Sequence, residues 1–333
     1  SGVAAGELAA RPRPVWRVRA GTRDATAPVV AGGRVFAASA EGNLLALDLE
    51  SGRVLWAAPL GGPTEAPPFG HDGRIFIGTD EGRFLAFAAA DGKPLWTFAA
   101  GDRVKGSANA VAAGETPAIV FGSYDMFLHC LDAATGRPLW KLETGNYVNG
   151  TPAVAGPTVV FGGCDGLLRQ VDAATGREIR ATDAESYIPG TAALAGGSAF
   201  FGQAEGQARR IDLAEGRAIW TNEEAKAGLF APPAVAGNLV LFGARDGRLR
   251  ALDRETGGTV WTFRAGGDID GGPVACGDRV VCGSLAGRIH LLDLASGREL
   301  WSHDLGSPLA ASPAVAGGWL LAATVDGHIH AFR

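Results

Sequence analysis

The sequence predicts an all-β fold, an eight-bladed β-propeller of four-stranded antiparallel blades in which an N-terminal strand completes the last blade. Three observations predict it: a unit of about 40 residues that recurs along the chain, a tryptophan at one position of that unit, and two chain ends that complement each other. Self-similarity at this period indicates a repeat architecture. Four short strands cannot bury two faces alone, and the radial stacking of such units is a propeller.

The tryptophans mark the repeat. Seven of the eight hold one position of it, namely Trp16, Trp56, Trp96, Trp140, Trp220, Trp261 and Trp301. Arg180 occupies the slot that is missing from this series, so there are eight slots. We interpret the tryptophans as structural wedges between blades rather than as a ligand platform, because a large aromatic side chain supplies buried area at each joint.

Each repeat contains the signals of four strands. The first strand follows a small residue and often proline, as in TPAVAG (151–156), and the second is an apolar run such as NLVLFGA (238–244). A turn such as Glu81-Gly82 then leads to a third strand that ends at an aspartate, for example Asp132, before the strand that carries the tryptophan. We expect these aspartates to accept hydrogen bonds from the backbone of the turn that follows.

The two ends of the chain predict how the ring closes. The last repeat stops at GHIHAFR (327–333) without a tryptophan strand, whereas VWRVRAG (15–21) has no preceding strands of its own. One segment completes the other, which removes the open sheet edges that favour aggregation. The predicted organisation is an extension or linker at 1–13 followed by a single propeller domain at 14–333.

Segments such as ALDLESGRVLW (46–56) and LLDLASGRELW (291–301) resemble the PQQ-like repeat, with its motif AxDxxTGKxxW, from about Pro14 to Arg333. The resemblance implies a propeller similar to the outer-membrane assembly lipoprotein BamB, a non-catalytic interaction scaffold in a periplasmic or extracytoplasmic location. The departures from the motif are Arg180 for tryptophan, Met126 for a turn glycine, and Ala88 and Asp91 in blade 2. We therefore expect blade 4, which contains Arg180, to be the least well docked.

Charge and composition exclude several classes of protein. Thirty basic against 35 acidic residues give a net charge of −5, so no nucleic-acid footprint is present. No apolar stretch approaches the roughly 20 residues of a membrane helix, and SGVAAGELAA at the start lacks the features of a signal peptide. The cysteines form no CxxC or adjacent pair, and Cys282 is expected to be a buried inert thiol. They are Cys130, Cys164, Cys276 and Cys282.

An enzyme of the same repeat family is the third hypothesis. The quinone-dependent dehydrogenases share the repeat, and resemblance to them implies a bound quinone, a calcium or lanthanide ion and an adjacent cysteine pair. This chain has no adjacent cysteine pair, and its repeats lack the long insertions of those enzymes. No GxSxG, HExxH or phosphate-binding glycine loop occurs. His290 and His330 hold equivalent positions in neighbouring blades, about 10 Å apart, which is too far for one metal ion. We expect no catalytic residue, metal or cofactor.

The connectors from each tryptophan strand to the next blade break the repeat, and we expect them to ring one mouth of the central channel. Loops on a rigid scaffold are where binding residues collect. The predicted partner-binding residues are Arg103, Lys105, Tyr147, Asn149, Tyr187, Phe230, Asp268 and Asp270. The basic pair enters blade 3 and the acidic pair enters blade 7 across the ring, with the aromatic residues between them. The alternative, a solvated ring of turn residues, remains open, and two carboxylates are too few for calcium.

These observations favour three candidate functions, which we rank from most to least favoured. The first is a scaffold, expected to be monomeric, that binds another protein or a peptide through these loops. The second is the extracytoplasmic ligand-sensing domain of a larger receptor, and the third is a quinone-dependent dehydrogenase.

Overall fold

Eight sheets surround a central channel in the computed structural model, which describes residues 2–4 and 6–333. The predicted eight-bladed propeller is confirmed: each blade contains four antiparallel strands that run in order from the channel outward. These described residues form no helix, hence none that could cross a membrane. The first two strands are β1 (Val3–Ala4) and β2 (Pro14–Arg19).

The next sixteen strands form blades 1 to 4. Blade 1 comprises β3 (Val29–Ala31), β4 (Arg34–Ser39), β5 (Asn43–Asp48) and β6 (Val54–Pro59). Blade 2 comprises β7 (Phe69–His71), β8 (Arg74–Gly78), β9 (Arg83–Ala88) and β10 (Pro94–Ala99). Blade 3 comprises β11 (Asn109–Ala113), β12 (Thr116–Gly122), β13 (Phe127–Asp132) and β14 (Pro138–Glu143). Blade 4 comprises β15 (Ala153–Ala155), β16 (Thr158–Gly162), β17 (Leu167–Asp172) and β18 (Glu178–Asp183).

The remaining strands form blades 5 to 8. Blade 5 comprises β19 (Ala193–Ala195), β20 (Ser198–Gly202), β21 (Ala208–Asp212) and β22 (Arg217–Asn222). Blade 6 comprises β23 (Ala234–Ala236), β24 (Leu239–Gly243), β25 (Arg248–Asp253) and β26 (Thr259–Arg264). Blade 7 comprises β27 (Val274–Cys276), β28 (Arg279–Gly283), β29 (Arg288–Asp293) and β30 (Glu299–Asp304). Blade 8 comprises β31 (Ala314–Ala316), β32 (Trp319–Ala323) and β33 (His328–Phe332) together with β2.

The hydrophobic core lies between neighbouring blades. One cluster joins Phe36 of blade 1 to Ile75 and Phe87 of blade 2, and all three side chains are at most 2% exposed. The second and third strands of each blade are apolar at successive positions because both faces of the sheet pack against a neighbouring blade.

The tryptophan of each outer strand packs on the next blade. Trp56 donates from Nε1 to the carbonyl of Ala89 at 3.2 Å, and its ring covers Gly92. A Cβ at Gly92 would lie 2.6 Å from that ring and φ there is 72°, so only glycine fits this turn. The same hydrogen bond joins Trp16 to Leu49, Trp96 to Ala133, Trp140 to Ala173, Trp220 to Arg254 and Trp261 to Leu294.

Arg180 replaces the indole at the joint between blades 4 and 5. Its guanidinium donates to the carbonyls of Ala214 at 2.9 Å and Glu215 at 3.0 Å, and the side chain is exposed. Ala214 and Glu215 follow Asp212 by two and three positions, whereas the carbonyls that accept from the indoles directly follow the aspartate position, so the arginine reaches one and two residues further along the turn. This joint is therefore held by polar contacts in place of aromatic packing.

The aspartates at the ends of the third strands organise the turns that contain the glycines beneath the tryptophan rings. Asp253 Oδ1 accepts the backbone N–H groups of Glu255 at 3.0 Å and Thr256 at 2.8 Å. The hydrogen bond from the Thr256 backbone holds the pKa of Asp253 below its ordinary value.

The ring closes as the chain ends predicted. β2 pairs antiparallel with β33, and Trp16 lies opposite Ala331 while Val18 lies opposite Ile329. The backbones of Arg13 and Arg333 exchange two further hydrogen bonds of 2.8 and 3.0 Å.

The extension before β2 also contributes a strand. β1 pairs parallel with β27 and makes blade 7 five-stranded, and Leu8 is 3% exposed. Ser1 and Ala5, which belong to the predicted 1–13 extension, lie outside the described residues.

Histidine and arginine side chains occupy equivalent buried positions in the third strands of several blades. Each of them has a polar partner. His129 hydrogen-bonds Asp125 at 2.8 Å and His290 bonds Glu299 at 3.2 Å, while Arg169 and Arg250 pair with Asp165 and Asp246. These four pairs agree with polar packing in place of metal ligation.

His330, in the same column, is expected to make stability depend on acid pH. Burial lowers its pKa from 6.5 to about 4, because the charged imidazole loses its hydration. Between these values the unfolded chain binds a proton that the folded protein excludes. Stability is therefore fully present above about pH 6.5 and falls with decreasing pH, by at most about 1.4 kcal/mol per pH unit.

Urea unfolding at pH 7.5, 6 and 5 measures this dependence. The His330→Gln variant should lose less stability over that interval than the unaltered protein. Identical losses for the two proteins would show that His330 does not carry the effect.

Candidate functional site

Two concentric rows of residues form one mouth of the channel. The connectors form the first row, and the hairpins between second and third strands form the other, which we call the hairpin row. Hairpin N–H groups bond connector carbonyls: Tyr124 to Arg103 at 2.8 Å, Cys164 to Tyr147 at 2.9 Å and Arg245 to Gly228 at 3.1 Å. The hairpin row comprises Ala40, Asp80, Tyr124, Cys164, Ala204, Arg245, Leu285 and Val325.

Sequence reasoning identified the connectors but missed the hairpin row. Each of its residues directly precedes the two-residue turn, as Arg245 precedes Asp246-Gly247. That position varies in size and charge from blade to blade while its neighbours repeat. This variability is the signal in the sequence that could have identified the second row.

A stacked tyrosine pair lies at the mouth beside blades 3 and 4. The rings of Tyr124 and Tyr147 are 4.6 Å apart and 10° from parallel, and Tyr147 is 39% exposed. Lys105 Nζ lies 5.9 Å from the Tyr124 ring. Asn149 donates to Cys164 Sγ at 3.1 Å, and burial raises the pKa of that thiol. The pair presents a rigid aromatic surface with a cation beside it.

A second aromatic cluster lies beside blades 5 and 6. The guanidinium of Arg245 stacks 3.9 Å from the Phe230 ring, and Tyr187 meets Phe230 edge-on at 6.5 Å. Arg245 also forms two hydrogen bonds with Asp270, at 2.7 and 3.1 Å. Tyr187, Phe230 and Asp270, all predicted from the sequence, are thus joined through an arginine that was not predicted.

The opposed charges predicted for the mouth are partly neutralised within it. Lys105 Nζ lies 2.9 Å from Glu65 Oε2, and Asp270 pairs with Arg245. Arg103 and Asp268 form no ion pair with another described residue. Of the four charged residues that were predicted to face each other across the mouth, Arg103 and Asp268 therefore have no ion-pair partner among the described residues.

A cavity of about 490 Å³ opens at the mouth beside blades 8, 1 and 2. Four carboxylates line it, those of Asp24, Glu65, Asp80 and Asp270, with the single cation Arg23. Asp80 Oδ1 is buried and has no hydrogen-bond partner among the described residues. Burial, and then the charge of Glu65, raise the pKa of Asp80.

Eight blades of one repeat, joined through indole rings and turn glycines, with a mouth of irregular loops, define a β-propeller of PQQ-like repeats. The sequence matches the family described as outer membrane protein assembly factor BamB over residues 6–127, 104–249 and 245–333. The chain belongs to this family.

Solved structures show the same fold. BamB from Moraxella catarrhalis is 21% identical, with 97% of each chain covered and a TM-score of 0.79. The computationally designed Ika8 protein is 18% identical, with 96% of this chain and 99% of the other covered and a TM-score of 0.85. A quinohemoprotein alcohol dehydrogenase from Pseudomonas putida HK5 is 14% identical, with 97% and 76% covered and a TM-score of 0.80. No curated protein matches the sequence significantly.

The residues at the mouth do not fit the cofactors of the dehydrogenase branch. The described residues contain no group of three histidine, cysteine, aspartate or glutamate side chains able to hold a metal ion. All four cysteines are free thiols, and none is adjacent to another. An anionic quinone would meet four carboxylates and one arginine in the cavity, so charges of its own sign would repel it.

Proposed function

We propose that the protein is a non-catalytic, extracytoplasmic interaction scaffold that binds another protein through the connector mouth. One observation carries the proposal: the irregular loops of an otherwise regular ring hold two ordered aromatic clusters, Tyr124 with Tyr147 and Tyr187 with Phe230 and Arg245. Tyrosine and arginine are the residues that most often carry binding energy at protein interfaces. BamB-family membership supports the same class of function.

The two clusters are suited to binding because their side chains are already held in place. The stacked rings and the Arg245 to Asp270 ion pair restrict rotamers before a partner arrives, so little side-chain entropy remains to be lost. Arg103 and Asp268 lie beside these clusters as the charges that steer the approach of a partner.

The aromatic residues are expected to contribute most of the affinity. Tyr147→Ala and Phe230→Ala should each weaken partner binding about 30-fold, which corresponds to about 2 kcal/mol. Arg103→Ala should mainly slow association and reduce its dependence on salt. The partner is recovered with the unaltered protein as bait, and its affinity for each variant is then measured by calorimetry.

Val260→Ala is the matched control, since Val260 is 51% exposed on the outer strand of blade 6. Loss of binding in this variant, with the mouth variants unaffected, would place the interface elsewhere. Dye-linked alcohol oxidation after addition of quinone and calcium would contradict the non-catalytic role.

The acidic cavity favours a second candidate, a ligand-sensing domain that binds a small organic cation. The unpartnered Asp80 Oδ1 lines this cavity and would accept a hydrogen bond from an ammonium group. A diamine should raise the melting temperature of the unaltered protein and not that of Asp80→Asn. Equal shifts in the two proteins would remove this candidate.

A further inference from the structure

The N-terminal segment lies inside the central channel. β27 is the innermost strand of blade 7, and its outer edge pairs with β28, so the edge that pairs with β1 faces the channel. β1 also contacts β23 and β31, the innermost strands of the two neighbouring blades. The segment runs from Pro273, at the connector end, to Gly318, at the opposite end.

Backbone and side-chain hydrogen bonds attach this segment to blade 7. Because the middle residue of β27 does not use its N–H group toward β28, Ala275 donates it to the carbonyl of Gly2 at 2.8 Å. Cys276 Sγ donates to the carbonyl of Gly6 at 2.9 Å, and Arg279 donates to the carbonyl of Leu8. All three donors belong to β27 or to the first residue of β28.

Leu8 anchors the segment in an apolar pocket between blades 7 and 8. Its side chain is 3% exposed and belongs to a cluster with Cys276, Val281, Leu305 and Leu320. Burial of this side chain holds the segment in place because it removes apolar surface from water.

A small residue in the innermost strand of blade 7 is compatible with a strand beside it. The middle residue of that strand is Ala275 in blade 7 and Gly70 in blade 2, where blades 1 and 4 have Val30 and Val154. The smaller side chain leaves room for a strand along the channel edge. Ala275 is 1% exposed, whereas Val30 and Val154 remain half-buried. Blade 7 thus has a strand-accepting groove, formed by the channel edge of β27 and the Leu8 pocket.

The contacts that hold the segment are few. Only the two residues of β1 pair with β27, and one of them, Val3, is 51% exposed. Strand addition to a free sheet edge binds through backbone hydrogen bonds and takes its specificity from side-chain pockets. A short strand with one anchor is easily exchanged for another of the same kind.

We propose that the strand-accepting groove of blade 7 is a second binding site, which takes an extended peptide of a partner protein with small residues followed by a leucine, and that residues 2–4 and 6–8 occupy it in cis. The site is separate from the connector mouth and does not depend on the function proposed there. The bound peptide runs parallel to β27 and inserts its leucine where Leu8 now lies.

The test uses the full chain with Leu8→Asp, which releases the segment from its pocket, and a fluorescent peptide of residues 2–12 as the probe. The peptide should bind Leu8→Asp at least 10-fold more tightly than the unaltered protein, whose groove is occupied. The same peptide with aspartate in place of its leucine is the matched control and should not bind.

Cys276 reports on the groove independently. In a Cys164→Ser background, which removes the half-buried thiol, Leu8→Asp should increase the rate of Cys276 modification at least 10-fold, and added peptide should restore protection. Cys130 and Cys282 are fully buried and contribute no background. Ala275→Val added to Leu8→Asp introduces the valine that blades 1 and 4 have at this position and should abolish peptide binding while the protein stays folded.

Failure of the peptide to bind a folded Leu8→Asp protein would overturn the proposal. So would equal rates of Cys276 modification with and without Leu8, or equal binding of the control peptide.

Discussion

Deletion of residues 1–21 is expected to destabilise the protein by at least about 3 kcal/mol and to make it prone to aggregation. The deletion removes β2, which covers the outer edge of β33. It also removes the Trp16 ring from Gly52 and takes Val18 and Ala20 out of the core between blades 8 and 1. The loss is a large part of the 5–15 kcal/mol by which a domain is usually stable.

Deletion of residues 1–12 is the matched control, because it removes the channel segment and leaves β2 in place. Thermal unfolding of the two truncated proteins separates the contributions. The shorter deletion should retain a cooperative transition close to that of the full chain. Equal melting temperatures for the two truncations would show that β2 does not close the ring.

Trp220→Ala is expected to lower the free energy of unfolding by about 3–5 kcal/mol, which is also a large effect. The Trp220 side chain is 8% exposed, covers Gly257 and donates to the carbonyl of Arg254 at 2.9 Å. Its removal leaves a cavity at the joint between blades 5 and 6 that the rigid turn cannot fill.

Arg180→Ala provides the comparison at the same position of the preceding blade. Removal of an exposed arginine with two hydrogen bonds should lower the free energy of unfolding by about 1 kcal/mol. Urea unfolding of both variants measures the difference. If Arg180→Ala lowered the free energy of unfolding as much as Trp220→Ala, this would contradict the view that buried indole packing, rather than the shared hydrogen bond, stabilises the joints.

The fold was predictable from the sequence because the decisive interactions are local. The turn at Asp253 joins residues two and three positions apart, and its geometry follows from side-chain chemistry that the sequence displays. The tryptophan period and the unmatched ends of the chain then predicted eight blades and the pairing of β2 with β33, as observed.

The candidate site was predictable only in part. The connectors broke the repeat, so Tyr147, Tyr187 and Phe230 could be selected as irregular residues. Their partners could not be selected in the same way, because Tyr124 and Arg245 lie in hairpins that otherwise follow the repeat. The connector and hairpin rows become neighbours only when each blade has folded, because the hairpin N–H groups then reach the carbonyls of the connector that enters the blade.

The sequence by itself determined the blade count, the strand order, the turn chemistry and the ring of connector residues, since each depends on residues close together or on a regular period. The tertiary structure decided which charges are free and what fills the channel. Arg245 neutralises Asp270 from 25 positions away, and Cys276 binds the carbonyl of Gly6 across 270 positions. Such contacts have no period and no local signal, because they form only between surfaces that the closed ring brings together.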